Sequence, residues 1–436
     1  MEINIPATDR QRVVILGAGF AGLTLARKLV RSDFQVVLID RNNYHQFQPL
    51  FYQVAMSGLE PSSIVFPLRK IFQRNEHVHI RVTEVLSVVP ERNEVITELG
   101  SLEYDHLVVA IGADTNFFGN QDMAEKTIPM KSVSEALYLR NQILADYESA
   151  CVTPNYDDRQ GFIDIVIVGG GPTGVEVAGS LAEMKKYILP KDYKEIDSAE
   201  VDIHLVQGGP QLLMGMSEKA SQKALDFLQK LKVHVKLDTR VTGYDGQTVF
   251  MSDGSEIHAH KVIWAAGIIG NTIEGLDPEL IARGRRIKVD QYNKVLSTDN
   301  IYAVGDVAYM ETEAYPHGHP QVAQVAMQQA ALVGKNLKRA QKGKALKTFK
   351  YKDLGSMATV GRHRAVVDLP KFSLAGGLAW FMWLGVHLFQ LIGTKNRVFV
   401  FLNWVWNYLT YDQSLRVMIR PYIKQKNKSK TTTPTH

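Results

Sequence analysis

The chain has 436 residues, which allows about three domains at roughly 150 residues each. With 45% hydrophobic, 22% charged and 9% aromatic residues it is an ordered globular protein, neither a small stapled scaffold nor a disordered chain. Its one cysteine, Cys151, excludes disulfide frameworks, CxxC redox pairs, four-cysteine zinc sites and ordinary iron-sulfur clusters, so electron chemistry here calls for an organic cofactor. Residues 369–436 hold nine Lys or Arg against one acid, Asp412, a balance of +8 that leaves −3 for the first 368 residues of a +5 chain. Basic charge gathered at one end beside the most apolar stretch points to a membrane surface and away from nucleic acid. Residues 1–12 carry no apolar signal segment, so the folded body is expected in the cytoplasm.

In chain order, residues 12–16 (RVVIL) read as a buried parallel strand. The turn Gly17-Ala18-Gly19-Phe20-Ala21-Gly22 follows, then a helix to about Arg31 and a strand over residues 35–40. The pattern recurs as a strand over 163–168, the turn Gly169-Gly170-Gly171-Pro172-Thr173-Gly174, a helix to about Met184 and a strand over 201–207. The expectation is an α/β chain with two Rossmann-like folds. A GxGxxG alone is either a dinucleotide site or a plain helix-entry turn. Set between strand and helix, its glycines permit the tight turn, the approach of pyrophosphate and close helix–strand packing, and the helix N-terminus favours the phosphates. Asp40, 21 residues after Gly19, stands where a carboxylate accepts hydrogen bonds from a ribose diol; the matching strand of the second copy ends in neutral Gln207.

Residues 107–112, which include Ala110 and Gly112, and residues 262–267, which end at Gly267, are apolar strands closed by small residues. That pattern suits backbone passing close to a nucleotide, or simply a buried strand closed by a glycine turn. Tyr302-Ala303-Val304-Gly305-Asp306 ends a strand on one carboxylate, which either faces a polyol or caps a helix.

Together these segments resemble the flavoproteins with two dinucleotide-binding domains, over about residues 10–340. The disulfide reductases and sulfide:quinone reductases of that superfamily use a cysteine pair, which this chain lacks. Within the remainder it resembles the type II NADH dehydrogenases, single-subunit NADH:quinone oxidoreductases, in YHQFQPLFYQVA (residues 44–55), GPTGVEVAG (171–179) and AQVAMQQ (323–329).

The resemblance implies an FAD domain in two parts (1–125 and 296–345), an inserted NADH domain (126–295) and a membrane-association segment (346–436). It implies FAD contacts from Gly17, Gly19, Phe20, Ala21, Gly22, Asp40, Arg41, Gln48, Val85, Ala110, Gly112, Asp306, Gln324 and Val325, with Lys395 a looser match. NADH contacts would come from Gly169, Gly171, Gly174, Gln207 and Gly267. Glu176 then belongs where nicotinamide and flavin meet; in the opening turns of its helix, the dipole favours an ionised carboxylate. Gln324 and Gln328, spaced i,i+4, could aim two amides at one quinone carbonyl, or lie on a solvated helix surface. No metal is expected, since His317-Gly318-His319 lacks an evident third ligand.

Residues 374–392 form a 19-residue apolar run without formal charge, barely long enough to span a bilayer and interrupted by His387, Gln390 and three glycines. A second run, 398–411, is shorter, and four of the five tryptophans (Trp380, Trp383, Trp404, Trp406) lie in these runs, as interfacial rings do. The reading is a monotopic anchor of amphipathic helices; a dimerisation or core hairpin is the alternative, so a homodimer is a possible assembly. The resemblance implies attachment to the cytoplasmic face of the cell membrane and electron transfer from NADH through FAD to membrane quinone, without ion pumping. The rival readings are a soluble FAD-dependent NAD(P)H reductase and a redox-sensing interaction protein.

Overall fold

The computed structural model describes residues 3–412 and 415–419; the tail lysines Lys424, Lys426, Lys428 and Lys430, expected to meet lipid, lie outside the described residues. Strand β1 (Gln11–Leu16) has Val13 to Leu16 at 0% exposure, because helices cover both faces of a parallel sheet and its centre must be apolar throughout. The chain continues through the first glycine turn into α1 (Phe20–Leu29) and β2 (Phe34–Asp40). Two short helices, α2 (Phe51–Ala55) and α3 (Leu68–Phe72), precede β3 (Val78–Val82) and β4 (His106–Val109).

The second fold begins with β5 (Ile128–Pro129) and α4 (Val133–Cys151), whose start is fixed by a reciprocal capping box between Ser132 and Glu135. It continues with β6 (Ile165–Val168), α5 (Pro172–Tyr187), β7 (Ile203–Val206), β8 (His234–Lys236) and β9 (Lys261–Trp264). The helix expected to stop at Met184 runs on to Tyr187, its last turn carrying Lys185 and Lys186, which complement the negative end of the dipole. The chain then returns to the first sheet as β10 (Ile301–Ala303), followed by α6 (Ala323–Ala340).

The two sheets share one plan, with orders β10-β4-β1-β2-β3 and β5-β9-β6-β7-β8 and every pair parallel. In each, the glycine turn leaves the central strand at its carboxyl end, the switch point at which open α/β sheets receive ligands. Where the chain passes between the folds, Ala113–Thr115 and Ile268–Gly270 pair antiparallel.

The C-terminal part is a meander of β11 (Ser356–Thr359), β12 (Ala365–Leu369) and β13 (Phe372–Ala375), then α7 (Gly377–Gln390) and α8 (Thr394–Thr410). The long apolar run therefore starts as a strand and turns at Gly376 (φ +90°) before becoming a 14-residue helix. No helix among the described residues is long and apolar enough to cross a membrane. The helices instead expose an apolar face: Leu378, Phe389, Leu409 and Trp406 are 68%, 75%, 71% and 58% exposed. The expectation of four interfacial tryptophans is corrected for Trp383, which is 1% exposed in the main core, and for Trp404, which turns inward and donates to Gln53 Oε1 at 2.7 Å.

This C-terminal part sits directly on the second fold. A Cβ placed on Gly179, in the middle of α5, would lie 2.5 Å from the backbone nitrogen of Gly361 in the β11–β12 turn. Helix and turn thus touch backbone to backbone.

Candidate active site

The first glycine turn is shaped for a dinucleotide. Gly17 has φ +95°, and a Cβ there would lie 2.4 Å from Ala110 O; one on Gly22 would lie 1.8 Å from Gly17 O. Nothing stands within 4 Å of a Cβ on Gly19, where α1 begins with no side-chain cap, so its first N–H groups face open space. The second turn repeats these dimensions: Gly169 (φ +109°) meets Ala265 O at 2.4 Å, Gly174 meets Gly169 O at 1.9 Å, and Gly171 is open. Asp40 Oδ2 accepts from Ala18 N at 2.7 Å, and Gln207 Oε1 accepts from Gly170 N at 2.8 Å, so both strand-end side chains reach the same place in their folds.

Around the first turn, Phe20 packs edge-on to His45 and Phe47, and His45 Nδ1 meets Ala18 O at 2.8 Å. Ala21 is buried, Gly112 (φ +71°) has open space beside it, and Arg41 is exposed next to Asp40. Val85 lies one residue beyond Glu84, close to Thr83, whose N–H donates to Asp40 O at 3.1 Å. Gln48 Nε2 contacts Lys131 O at 3.5 Å. Lys131 and Arg286 supply positive potential to Asp306, whose carboxyl is pushed above the usual range chiefly by burial. Among the described residues no protein donor bonds the Asp306 carboxylate, while Gly305 N is held by Gln329 Oε1 at 2.8 Å. An unengaged carboxylate facing an open glycine turn fits the polyol of FAD, and the second turn fits a second dinucleotide. At Gly267 (φ +155°) a Cβ would stand 3.5 Å from the Phe118 ring.

Between the turns, residues 44–55 form a bridge. At one end His45 touches the first turn; at the other Tyr52 OH lies 3.1 Å from Thr359 Oγ1 and accepts from Gln53 Nε2 at 2.9 Å. Thr359 N donates to Glu176 Oε1 at 3.4 Å. A run of rings follows the same course: Phe47 meets His387, His387 stacks on Trp383 at 3.9 Å, and Trp383 meets Tyr52. Burial holds His387 neutral, with its imidazole down to about 4, and its Nδ1 meets Trp383 O. The Trp383 indole N–H is buried close enough to Glu176 to favour its ionised form.

Glu176 departs from the sequence expectation. Burial pushes its carboxyl from 4.5 up to about 8, against the opposing pull of the Thr359 N–H and the Trp383 indole, so desolvation outweighs the helix dipole and the group is protonated at neutral pH. Tyr52 and Glu183 are raised by burial too, Glu183 to about 7. Thr359 is a site residue outside every sequence motif, whereas Tyr52 lies within residues 44–55 and Trp383 among the tryptophans expected at an interface.

Gln324 and Gln328 both bond backbone of the C-terminal part. Gln324 Nε2 donates to Gly355 O and its Oε1 accepts from Leu354 N, both at 2.9 Å; Gln328 pairs in the same two-way fashion with Lys352. Each amide thus helps hold residues 352–355 and has a second N–H beyond this bond. Val325 is 2% exposed in the core under the first sheet, and Lys395 is exposed, its Nζ 5.4 Å over the Phe399 ring.

The pyridine nucleotide-disulphide oxidoreductase family matches residues 11–330, and the NDH2 C-terminal domain matches residues 354–411. Two Mycobacterium tuberculosis proteins, the type II NADH:quinone oxidoreductases NdhA and Ndh, are each 36% identical, over 91% and 92% of this chain and 86% and 89% of their own lengths. The chain belongs to the type II NADH:quinone oxidoreductases. As such it is a non-proton-pumping, FAD-dependent NADH:quinone oxidoreductase, and the rival readings fall away. The NDH2 of Plasmodium falciparum, solved in complex with NADH, shares the fold at TM-score 0.86 and 22% identity, covering 94% of this chain and 100% of that one. The sulfide:quinone oxidoreductase of Aquifex aeolicus shares it at TM-score 0.71 and 18% identity, over 92% and 95%.

Proposed function

We propose that this type II oxidoreductase gathers NADH, FAD and quinone around Glu176, and that Glu176 holds the proton that quinone reduction consumes. The carrying observation is a carboxyl buried between the second glycine turn and the C-terminal helices and pushed up to about 8. FAD, when bound, supplies the two-electron carrier between the substrates. In this reading the first turn, Asp40 and Asp306 hold it, with Arg41, Gln48, Val85 and Gly112 along its length, and the second turn, Gln207 and Gly267 hold NADH. The chain divides accordingly into FAD (1–125, 296–345), NADH (126–295) and membrane (346–436) portions.

Glu176 carries its proton below about pH 8, and the N–H that Thr359 donates to Oε1 favours the proton on the other oxygen. The Trp383 N–H lies beside Glu176 and favours its carboxylate, while Gln324 and Gln328 each keep a second amide N–H beyond the one bonded to backbone. The Trp383–His387 stack excludes water from the Glu176 side. The exposed apolar face of α7 and α8 supports peripheral attachment to lipid, on the cytoplasmic face of the membrane; the cations beside it, Lys395 and Arg397, favour lipid over a second copy of the chain. The test is Glu176→Gln: flavin should stay bound, and the fall in quinone turnover that the wild type shows as pH rises through about 8 should vanish along with most of the rate. Unchanged kinetics with both substrates, or loss of flavin, refutes the role.

A further inference from the structure

The C-terminal ends of α1 and α6 carry a concentration of positive charge that the redox reaction does not use. The two helices approach closely at Gly334, where a Cβ would stand 3.1 Å from Leu25 Cδ1 and 3.2 Å from Lys28 Cβ. Beside this crossing lies a groove of about 580 Å³ lined by Lys28, Lys335, Lys338 and Lys350. A second hollow of about 380 Å³ adjoins it through Lys28 and Lys338 and adds Arg27 and Arg31. None of these six cations forms an ion pair among the described residues. Their crowding is felt by Lys338, whose ammonium is pushed down by burial and then by Lys28 and Lys342. Uncompensated like charges at close quarters cost stability, so their accumulation calls for an anion.

The groove is continuous with the apolar helices. Ile71 and Phe72 of α3 wall the second hollow, and Lys70 on the same helix lies 5.9 Å over the Phe66 ring. Phe66 in turn packs on Gly393 between α7 and α8, where a Cβ would stand 2.3 Å from its ring, and Asn396 Nδ2 bonds Val65 O at 3.2 Å. Ile392 packs against the cluster that contains Phe72 and Leu29. The α7–α8 connection is therefore seated on the wall of the basic groove, with exposed Phe389 and Phe399 to either side of it.

We infer that the groove between α1, α3 and α6 binds the phosphate of anionic phospholipid headgroups at the rim of the membrane-docking face. This rests on the reading that α7 and α8 lie in the lipid surface. Apolar insertion then sets attachment to any bilayer, while the groove adds a preference for anionic lipid and fixes the rotation of the protein about the membrane normal.

The test compares the flavin-loaded full chain with two triple variants, Lys28→Gln/Lys335→Gln/Lys350→Gln and the same sites to Glu, by flotation with phosphatidylcholine vesicles and with vesicles that also contain phosphatidylglycerol. At about five-fold per lysine, the Gln variant should lose on the order of a hundred-fold in affinity for the anionic vesicles. The Glu variant should lose more, and both should bind phosphatidylcholine as the wild type does. Full retention of the anionic preference overturns the assignment. So does protection of Lys28 from acylation by pyrophosphate or by duplex DNA where anionic vesicles give none, since the groove would then serve a soluble polyanion. A wild type that ignores phosphatidylcholine altogether refutes insertion of α7 and α8, a separate failure; the groove then stands or falls on the phosphatidylglycerol arm.

Discussion

Replacing Glu176 by Gln should stabilise the protein, and by an amount that depends on pH. The folded carboxyl titrates at about 8 against 4.5 for an ordinary glutamate. Folding therefore favours the protonated form: below 4.5 both states hold the proton and nothing is lost, whereas above it the unfolded chain releases a proton that the folded chain must keep. Wild-type stability falls through this window, and the loss is complete above about 8. At about 1.4 kcal/mol per unit, the penalty is about 3 kcal/mol at pH 7 and on the order of 5 kcal/mol beyond pH 8. Gln keeps the carbonyl that accepts from Thr359 N and has no charge to bury. For a chain of 436 residues, whose unfolding entropy is about 0.9 kcal/mol/K, the expected gain at pH 7 is roughly 3–4 °C. Thermal ramps followed by flavin release, run near pH 5 and near pH 8, decide the matter. A difference in Tm equal at both pH values, or a Gln variant less stable near pH 8, would show that Glu176 is not a buried neutral acid.

Gln324→Leu should lower stability by about 1 kcal/mol by freeing residues 354–355 and leave the KM for quinone unchanged; a selective rise in that KM would restore the amide to the quinone site. Gln207→Glu keeps an acceptor for Gly170 N and adds a charge that repels a 2′-phosphate, so NADPH oxidation should drop while NADH oxidation holds. The ratio of kcat/KM for the two donors reads this out, and an unaltered ratio moves Gln207 off the ribose. Changing exposed Phe389, Phe399, Leu402 and Trp406 together to Ser should abolish vesicle binding with flavin content intact, and full binding by that variant would refute insertion of this face.

The two nucleotide folds are legible in the sequence because what makes them is local: an all-apolar strand, glycines at fixed offsets, and a polar residue at the end of the next strand. The fate of Glu176 is not. Its position follows from the motif, but its protonation is set by burial, opposed by Thr359 N–H and the Trp383 indole from distant segments, and no pattern within α5 reports either effect. The backbone bonds of the two glutamine amides are hidden for a similar reason, since their partners, the backbone of residues 352–355, carry no side-chain signature. In the C-terminal run a signal does exist: Ala379, Trp383 and His387 recur every fourth residue, the period of a buried stripe, and the first two are the buried residues of α7. Reading the run as uniformly apolar hides that one stripe belongs to the core.

The notch at Gly179 ties the C-terminal part to the second nucleotide fold. A mid-helix glycine is about 1 kcal/mol worse than alanine, so it persists only where a side chain cannot be housed. Here the obstacle is the backbone of Gly361, supplied by the β11–β12 turn that precedes α7 and α8. A methyl at this position would have to push the turn aside, so Gly179 lets the C-terminal layer rest directly on the second nucleotide fold.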